Sequence, residues 1–151
     1  MKLSIAARKK LANAIIKVLK KKYPAPECAL KHENPWQLLV ATILSAQCTD
    51  KRVNMVTPDL FKRFATIEDF AKAGQEELEE LIRSTGFFRN KAKNIIACAQ
   101  ALIEDFKGKI PQTLAELTKL PGVGRKTGSV LLGTAFGKAE GIVVDTHVTR
   151  L

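Results

Sequence analysis

Leu120-Pro121-Gly122-Val123-Gly124-Arg125-Lys126-Thr127 is the stretch on which the reading of the chain turns. A proline and two glycines interrupt a helical pattern here, and the pattern resumes through Phe136. The arrangement predicts helix, tight hairpin, helix. Glycine tolerates positive φ and carries no side chain, so the amides of Gly122, Val123 and Gly124 are expected to stand exposed at a helix N-terminus. Such amides suit a phosphate oxygen, and contact through backbone reads no base sequence. The small residues Gly128, Ser129, Gly133 and Ala135 would let the second helix approach its neighbours closely. An ordinary helix–helix turn has the same composition, so the turn alone assigns no function.

Working outward, the chain reads as helix after helix. In Asn90–Phe106 the residues Ala92, Ile95, Ile96, Ala99, Leu102, Ile103 and Phe106 recur at spacings of three and four, the mark of a long helix with one buried face. Asn34-Pro35 supplies a cap followed by proline in the first turn. Trp36, Leu38, Leu39, Val40, Ile43 and Leu44 then cover nearly the whole circumference, which predicts a central, buried helix. Ser4 can cap a first helix with Ile5, Leu11, Ile15 and Leu19 near one stripe, ended by Tyr23-Pro24-Ala25-Pro26. Asp50 and Thr57-Pro58 are read as the starts of two further helical pieces. Thr66–Asp69 and Thr113–Glu116 have the form of capping boxes. Ile142-Val143-Val144 is the one β-branched run, too short to build a sheet. The fold class is all-α, with short connections around one core.

Composition narrows the function. The 151 residues, 46% apolar and 26% charged, suit a globular chain with a sizeable core. Twenty-five Lys and Arg against fifteen Asp and Glu give a formal charge of +10, which favours polyanionic partners such as nucleic acid, although a solvated lysine face gives the same count. The apolar run at Leu38–Leu44, broken by Thr42, falls far short of the ~20 residues of a membrane span. Met1–Lys10 has no secretory pattern, so a cytoplasmic location is expected, nucleoid-associated if the source is bacterial. Cys28, Cys48 and Cys98 lack metal-ligand spacing and read as reduced thiols, with no metal site.

Two residues near the hairpin carry possible chemistry. Lys126 lies just inside the second helix, and Asp145 follows nineteen residues later, by subtraction of the two positions. A lysine becomes a nucleophile when burial or a nearby cation lowers its pKa, and Arg125 and the helix N-terminus are local contributors of that kind. A carboxylate beside it can accept a proton or stabilise a cationic sugar. Without context Lys126 is simply solvated, and Asp145-Thr146-His147 is an N-cap for a last helix.

Taken together, Leu120–Thr127, Thr134-Ala135-Phe136-Gly137 and Val144-Asp145-Thr146-His147 resemble the endonuclease III family of helix–hairpin–helix DNA glycosylases. Leu44-Ser45-Ala46-Gln47-Cys48-Thr49-Asp50 and Gly86–Asn90 with Lys91-Ala92-Lys93-Asn94-Ile95-Ile96 extend the match. These blocks, in the expected order, are far more specific than the turn. The resemblance implies a six-helix barrel domain over 23–136 that carries the hairpin. An incomplete second helical domain would take 1–22 and 137–151. It implies base-excision repair: removal of oxidised pyrimidines from duplex DNA after the nucleotide is flipped out, followed by AP lyase cleavage. Lys126 would form the Schiff base that leads to β-elimination, and Asp145 would assist base loss. Gly122, Val123, Gly124 and Arg125 would hold the DNA backbone, and Gln47 would fill the gap left by the flipped base. Phe87 stands where the family often has a wedging leucine, although Phe87 or Phe88 could equally be core. His147 reads as a structural histidine.

The same resemblance marks what is missing. The family continues past the Asp-Thr-His block to four cysteines that ligate a [4Fe–4S] cluster, and none of Cys28, Cys48 or Cys98 matches a ligand. No cofactor is therefore expected in this chain, which reads as a fragment with reduced or no activity. The apolar stripe of the first helix, which in the family packs with the missing tail, would be left partly exposed. The expected partner is double-stranded DNA with damaged bases or abasic sites, bound by a monomer, with no membrane. Two other readings remain open: a non-catalytic DNA-binding remnant, and a mismatch or alkylated-base glycosylase of the same superfamily.

Overall fold

The computed structural model of the chain describes residues 3–139 and Val143. Among them are eight α-helices and no strand: α1 Ile5–Lys22, α2 Pro35–Leu44, α3 Asp50–Arg63, α4 Ile67–Ala71, α5 Gln75–Ile82, α6 Phe88–Phe106, α7 Leu114–Leu117 and α8 Arg125–Phe136. A 3-10 turn, Arg83–Thr85, joins α5 to α6. The all-α class holds. The β-branched run expected at 142–144 lies outside the described residues apart from Val143.

α2 is the hub. Asn34 caps it by accepting from the Gln37 amide at 2.9 Å, and Pro35 occupies the first turn. Seven of its ten residues are buried, so it presents no single wet face and must be surrounded. α3, α6 and α8 pack against it, while α4 and α5 lie on α6. The α6 stripe is Ala92, Ile95, Cys98, Ala99 and Leu102, as its periodicity predicts; Ile103, counted in that stripe from sequence, turns outward. At one end of the core Trp36 and Phe64 flank Phe70, with ring centroids 5.3 and 5.2 Å away. The Trp36 Nε1 is buried with no hydrogen-bond partner among the described residues.

Two sequence expectations need correction. Thr57-Pro58 does not start a helix: Pro58 sits inside a continuous α3. The buried stripe Val53, Thr57, Leu60 runs straight through it, and that burial outweighs the one backbone bond the proline ring removes. At Thr113–Glu116 the box is only half formed. The Thr113 hydroxyl accepts from the Glu116 amide, but the Glu116 carboxylate takes the proton of that same hydroxyl at 2.6 Å rather than the Thr113 backbone N–H.

The Thr66 box is complete. The Asp69 carboxylate accepts from the Thr66 and Ala65 amides, and the Thr66 hydroxyl accepts from the Asp69 amide. The Thr66 amide, and then its hydroxyl, hold the Asp69 carboxyl below the ordinary 3.8. A depressed folded value means a contribution that is complete above 3.8 and lost as the pH falls through the folded value. The melting-temperature gap between wild type and Asp69→Asn is therefore expected to be widest at neutral pH and to close in acid. A gap of constant width would show that the charge plays no part in the cap.

α1 is the exception to the packing. Ser4 caps it as expected, yet none of its residues is buried. Ile5, Leu11, Ile15 and Leu19 are all exposed.

Candidate nucleic-acid interface and nucleophile

The hairpin forms as its sequence suggests, with one refinement. Only Gly122 takes positive φ, at +76°, and an added Cβ there would stand 2.9 Å from the Asn94 Cβ on α6. Gly124 is extended and serves as the N-cap of α8, with open space where a Cβ would project. The Val123 amide donates to the Leu120 carbonyl at 3.1 Å and its side chain is buried, so Val123 holds the hairpin together and its amide is already engaged. This corrects the expectation of three available amides. Those of Gly122 and Gly124 have no protein partner among the described residues. Gly128 meets Leu114 and Leu117 closely, as expected, whereas nothing described approaches Gly133.

Lys126 occupies the second position of α8 and is exposed. Arg125, beside it, is exposed too. An exposed Lys126 lacks the burial that was one of the two expected routes to reactivity. Asp145 and His147 lie outside the described residues.

Gln47 and Phe87, forty residues apart by their positions, line the same cleft as Gly122. The cleft has a volume of about 240 Å³, and Thr42, Asn90, Lys91, Asn94 and Thr127 also face it. Gln47 follows α2 in a reversal where the Cys48 amide reaches the Ser45 carbonyl. Phe87 follows Gly86 and is the N-cap of α6. Both residues are left-handed, with φ of 50° and 47°, and only Lys107 shares that state among the described non-glycine residues. A side chain in this region costs about 1–3 kcal/mol, so two such residues at one cleft point to a requirement on where they project. Phe87 is 66% exposed while Phe88 packs on the core under the Arg83 and Arg89 guanidiniums, which separates the two candidates that sequence left equal. A larger hollow of about 450 Å³, lined by residues such as Lys31, Glu33, Thr57 and Lys62, contains none of these candidates. The smaller cleft is the better site because three distant segments converge on it.

Sequence reasoning assigned no role to Lys91. Its side chain is buried, and its Nζ donates to the Leu44 and Thr85 carbonyls at 2.8 Å each. Burial pushes the ammonium below the ordinary lysine range, an effect that nearby Cys48 opposes. The signal was its register: 91, 95, 98 and 102 fall on the inward stripe of α6.

No group of three or more His, Cys, Asp or Glu side chains among the described residues could hold a metal. Cys28 is exposed, Cys48 half-buried and Cys98 in the core with its thiol pushed up to about 12 by burial. Three sulfurs so dispersed do not fit an iron–sulfur cluster. No helix among the described residues is long and apolar enough to cross a membrane.

Comparison with known proteins places the chain in a family. Residues 40–151 match the HhH-GPD superfamily of base excision DNA repair proteins. The chain is 54% identical over 147 residues to endonuclease III of Synechocystis sp., covering 97% of this chain and 67% of that protein. It is 50% identical over 129 residues to endonuclease III of Bacillus subtilis, covering 85% of this chain and 58% of that one. The chain thus spans about two thirds of these relatives or less. A solved non-covalent endonuclease III–DNA complex superimposes with a TM-score of 0.87 at 46% identity, covering 99% of this chain and 67% of that chain. The chain belongs to the HhH-GPD superfamily of base excision DNA repair proteins, as a homologue of the endonuclease III enzymes.

Proposed function

We propose that the protein is a bifunctional DNA glycosylase and AP lyase that acts on oxidised pyrimidines in duplex DNA. The observation that carries this reading is the convergence of Gln47, Phe87 and Gly122 on one cleft, with Lys126 in the helix turn that follows the hairpin. Backbone amides at Gly122 and Gly124, with Arg125, take a phosphate near the lesion; Val123 serves by locking the turn. Phe87 wedges into the stack and Gln47 fills the vacated space, which lowers the energy of the flipped state.

Chemistry then runs through one amine. The neutral Lys126 Nζ attacks C1′, and the C1′–N bond breaks with its electron pair leaving on the base. Opening of the sugar ring gives an imine. Loss of a C2′ proton moves electrons to break the C3′–O3′ bond, releasing the 3′ strand as its 5′-phosphate, and water returns the lysine. Asp145 accepts the proton or steadies the positive charge on the sugar.

Borohydride reduces such an imine to a stable amine and joins protein to DNA. The chain incubated with a duplex carrying one abasic site and borohydride is expected to give a covalent band, slower to form than with a full-length relative. A folded chain that binds abasic DNA tightly yet gives no band would instead favour a DNA-binding remnant. A panel of duplexes with single lesions separates oxidised pyrimidines from mismatched or alkylated bases.

A further inference from the structure

A buried ammonium with no carboxylate bonded to it among the described residues is unusual enough to require a reason. Lys91 is satisfied instead by two main-chain carbonyls. The Leu44 carbonyl belongs to the last turn of α2, where helical carbonyls lack internal donors and the helix end favours a cation. The Thr85 carbonyl closes the 3-10 turn. Lysine suits both, since it offers three donors on a long flexible stem.

Those two carbonyls are where the cleft's left-handed turns begin. Gln47 lies three residues beyond Leu44, and Phe87 lies two beyond Thr85. Leu44 and Lys91 are 47 positions apart, so a single side chain ties together segments that the chain itself does not hold in register. We infer that Lys91 is a positioning residue that fixes the Gln47 and Phe87 turns relative to each other, so that both side chains enter the duplex together. This rests on the lesion-recognition reading above. The reason for such a tie is geometric: insertion at adjacent points of one base stack tolerates little error, and a misplacement of about 1 Å can cost ~100-fold.

The test has one arm without DNA and one with it. Lys91→Met keeps the length and apolar stem and removes the donors. By hydrogen exchange, the Cys48 and Gly86 amides, bonded within their separate turns, are expected to lose about tenfold protection together, while the buried α8 amide of Leu132 keeps its own. Loss at one turn only, at neither, or in step with Leu132 would overturn the clamp. With DNA, wild type is expected to prefer an abasic duplex to an intact one. Lys91→Met loses that preference by about tenfold while its affinity for intact duplex stays level. In a Gln47→Ala/Phe87→Ala background the same change has no further effect, because the groups it positions are gone. Equal losses on both duplexes, or losses that simply add, assign Lys91 a structural role only and reject the inference. Should wild type show no preference, the lesion-recognition reading fails, and the exchange arm still decides the clamp. Lys91→Gln retains one donor group and is read in the same way if Lys91→Met does not fold.

Discussion

Lys126→Ala is expected to abolish covalent trapping and to slow strand cleavage at an abasic site on the order of a thousandfold or more, as removal of a nucleophile does. Binding to the same abasic duplex is expected to change little beyond the loss of one positive charge. The contrast follows from where the residue sits. Lys126 is exposed on the first turn of α8, so truncation opens no cavity in the core. Even an exposed ion pair there is worth about 0–1 kcal/mol, which bounds the change in melting temperature to a few degrees. Cleavage rates, trapping yield and affinity measured side by side decide the matter. Cleavage that survives in Lys126→Ala would move the nucleophile elsewhere; a collapse of binding and cleavage together would make the residue a phosphate contact.

The second large effect belongs to the hairpin, where its two glycines are predicted to fail in different ways. Gly122→Ala places a methyl group 2.9 Å from the Asn94 Cβ, an atom fixed to the α6 backbone that no rotamer moves, and does so at a φ of +76°. Left-handed strain and overpacking together amount to about 2–5 kcal/mol, a large share of a small domain's stability. Unfolding midpoints in urea should drop sharply, and DNA binding with them. Gly124→Ala meets open space at an ordinary φ. Alanine is a poorer cap than glycine but has less entropy to lose on folding, so the net change is about 1 kcal/mol or less. On the proposed reading its added methyl group stands in the way of the phosphate, and DNA affinity is expected to fall about tenfold with the fold intact. If both variants lose stability alike, the hairpin is merely a turn; if Gly124→Ala binds normally, the phosphate lies elsewhere.

The elements legible from sequence are those specified locally. α2 could be read from Asn34-Pro35 and an apolar circumference, α6 from its spacing, and the Thr66 cap from four adjacent residues. Pro58 misled because proline's local effect is visible in sequence, while the buried stripe that carries α3 past it is a tertiary fact. Phe87 and Phe88 were indistinguishable because neighbours of the same chemistry differ only in which one the α6 N-terminus turns outward. The hairpin glycines and Lys126 were legible as a motif. The role of Lys91 was not, because its partners are main-chain carbonyls, and every residue type supplies those alike.

The single tryptophan gives this chain a built-in optical reporter. Trp36 lies in the core at the N-terminal end of α2, edge-on to Phe70, with a buried indole N–H that has no hydrogen-bond partner among the described residues. The cleft opens at the opposite end of the same helix, at Thr42 and Ile43. Its emission therefore tracks the integrity of the helical core, while the residues that line the cleft contribute no indole signal. Folding and DNA recognition can thus be followed in one sample at separate wavelengths, the first from Trp36 and the second from a label on the DNA.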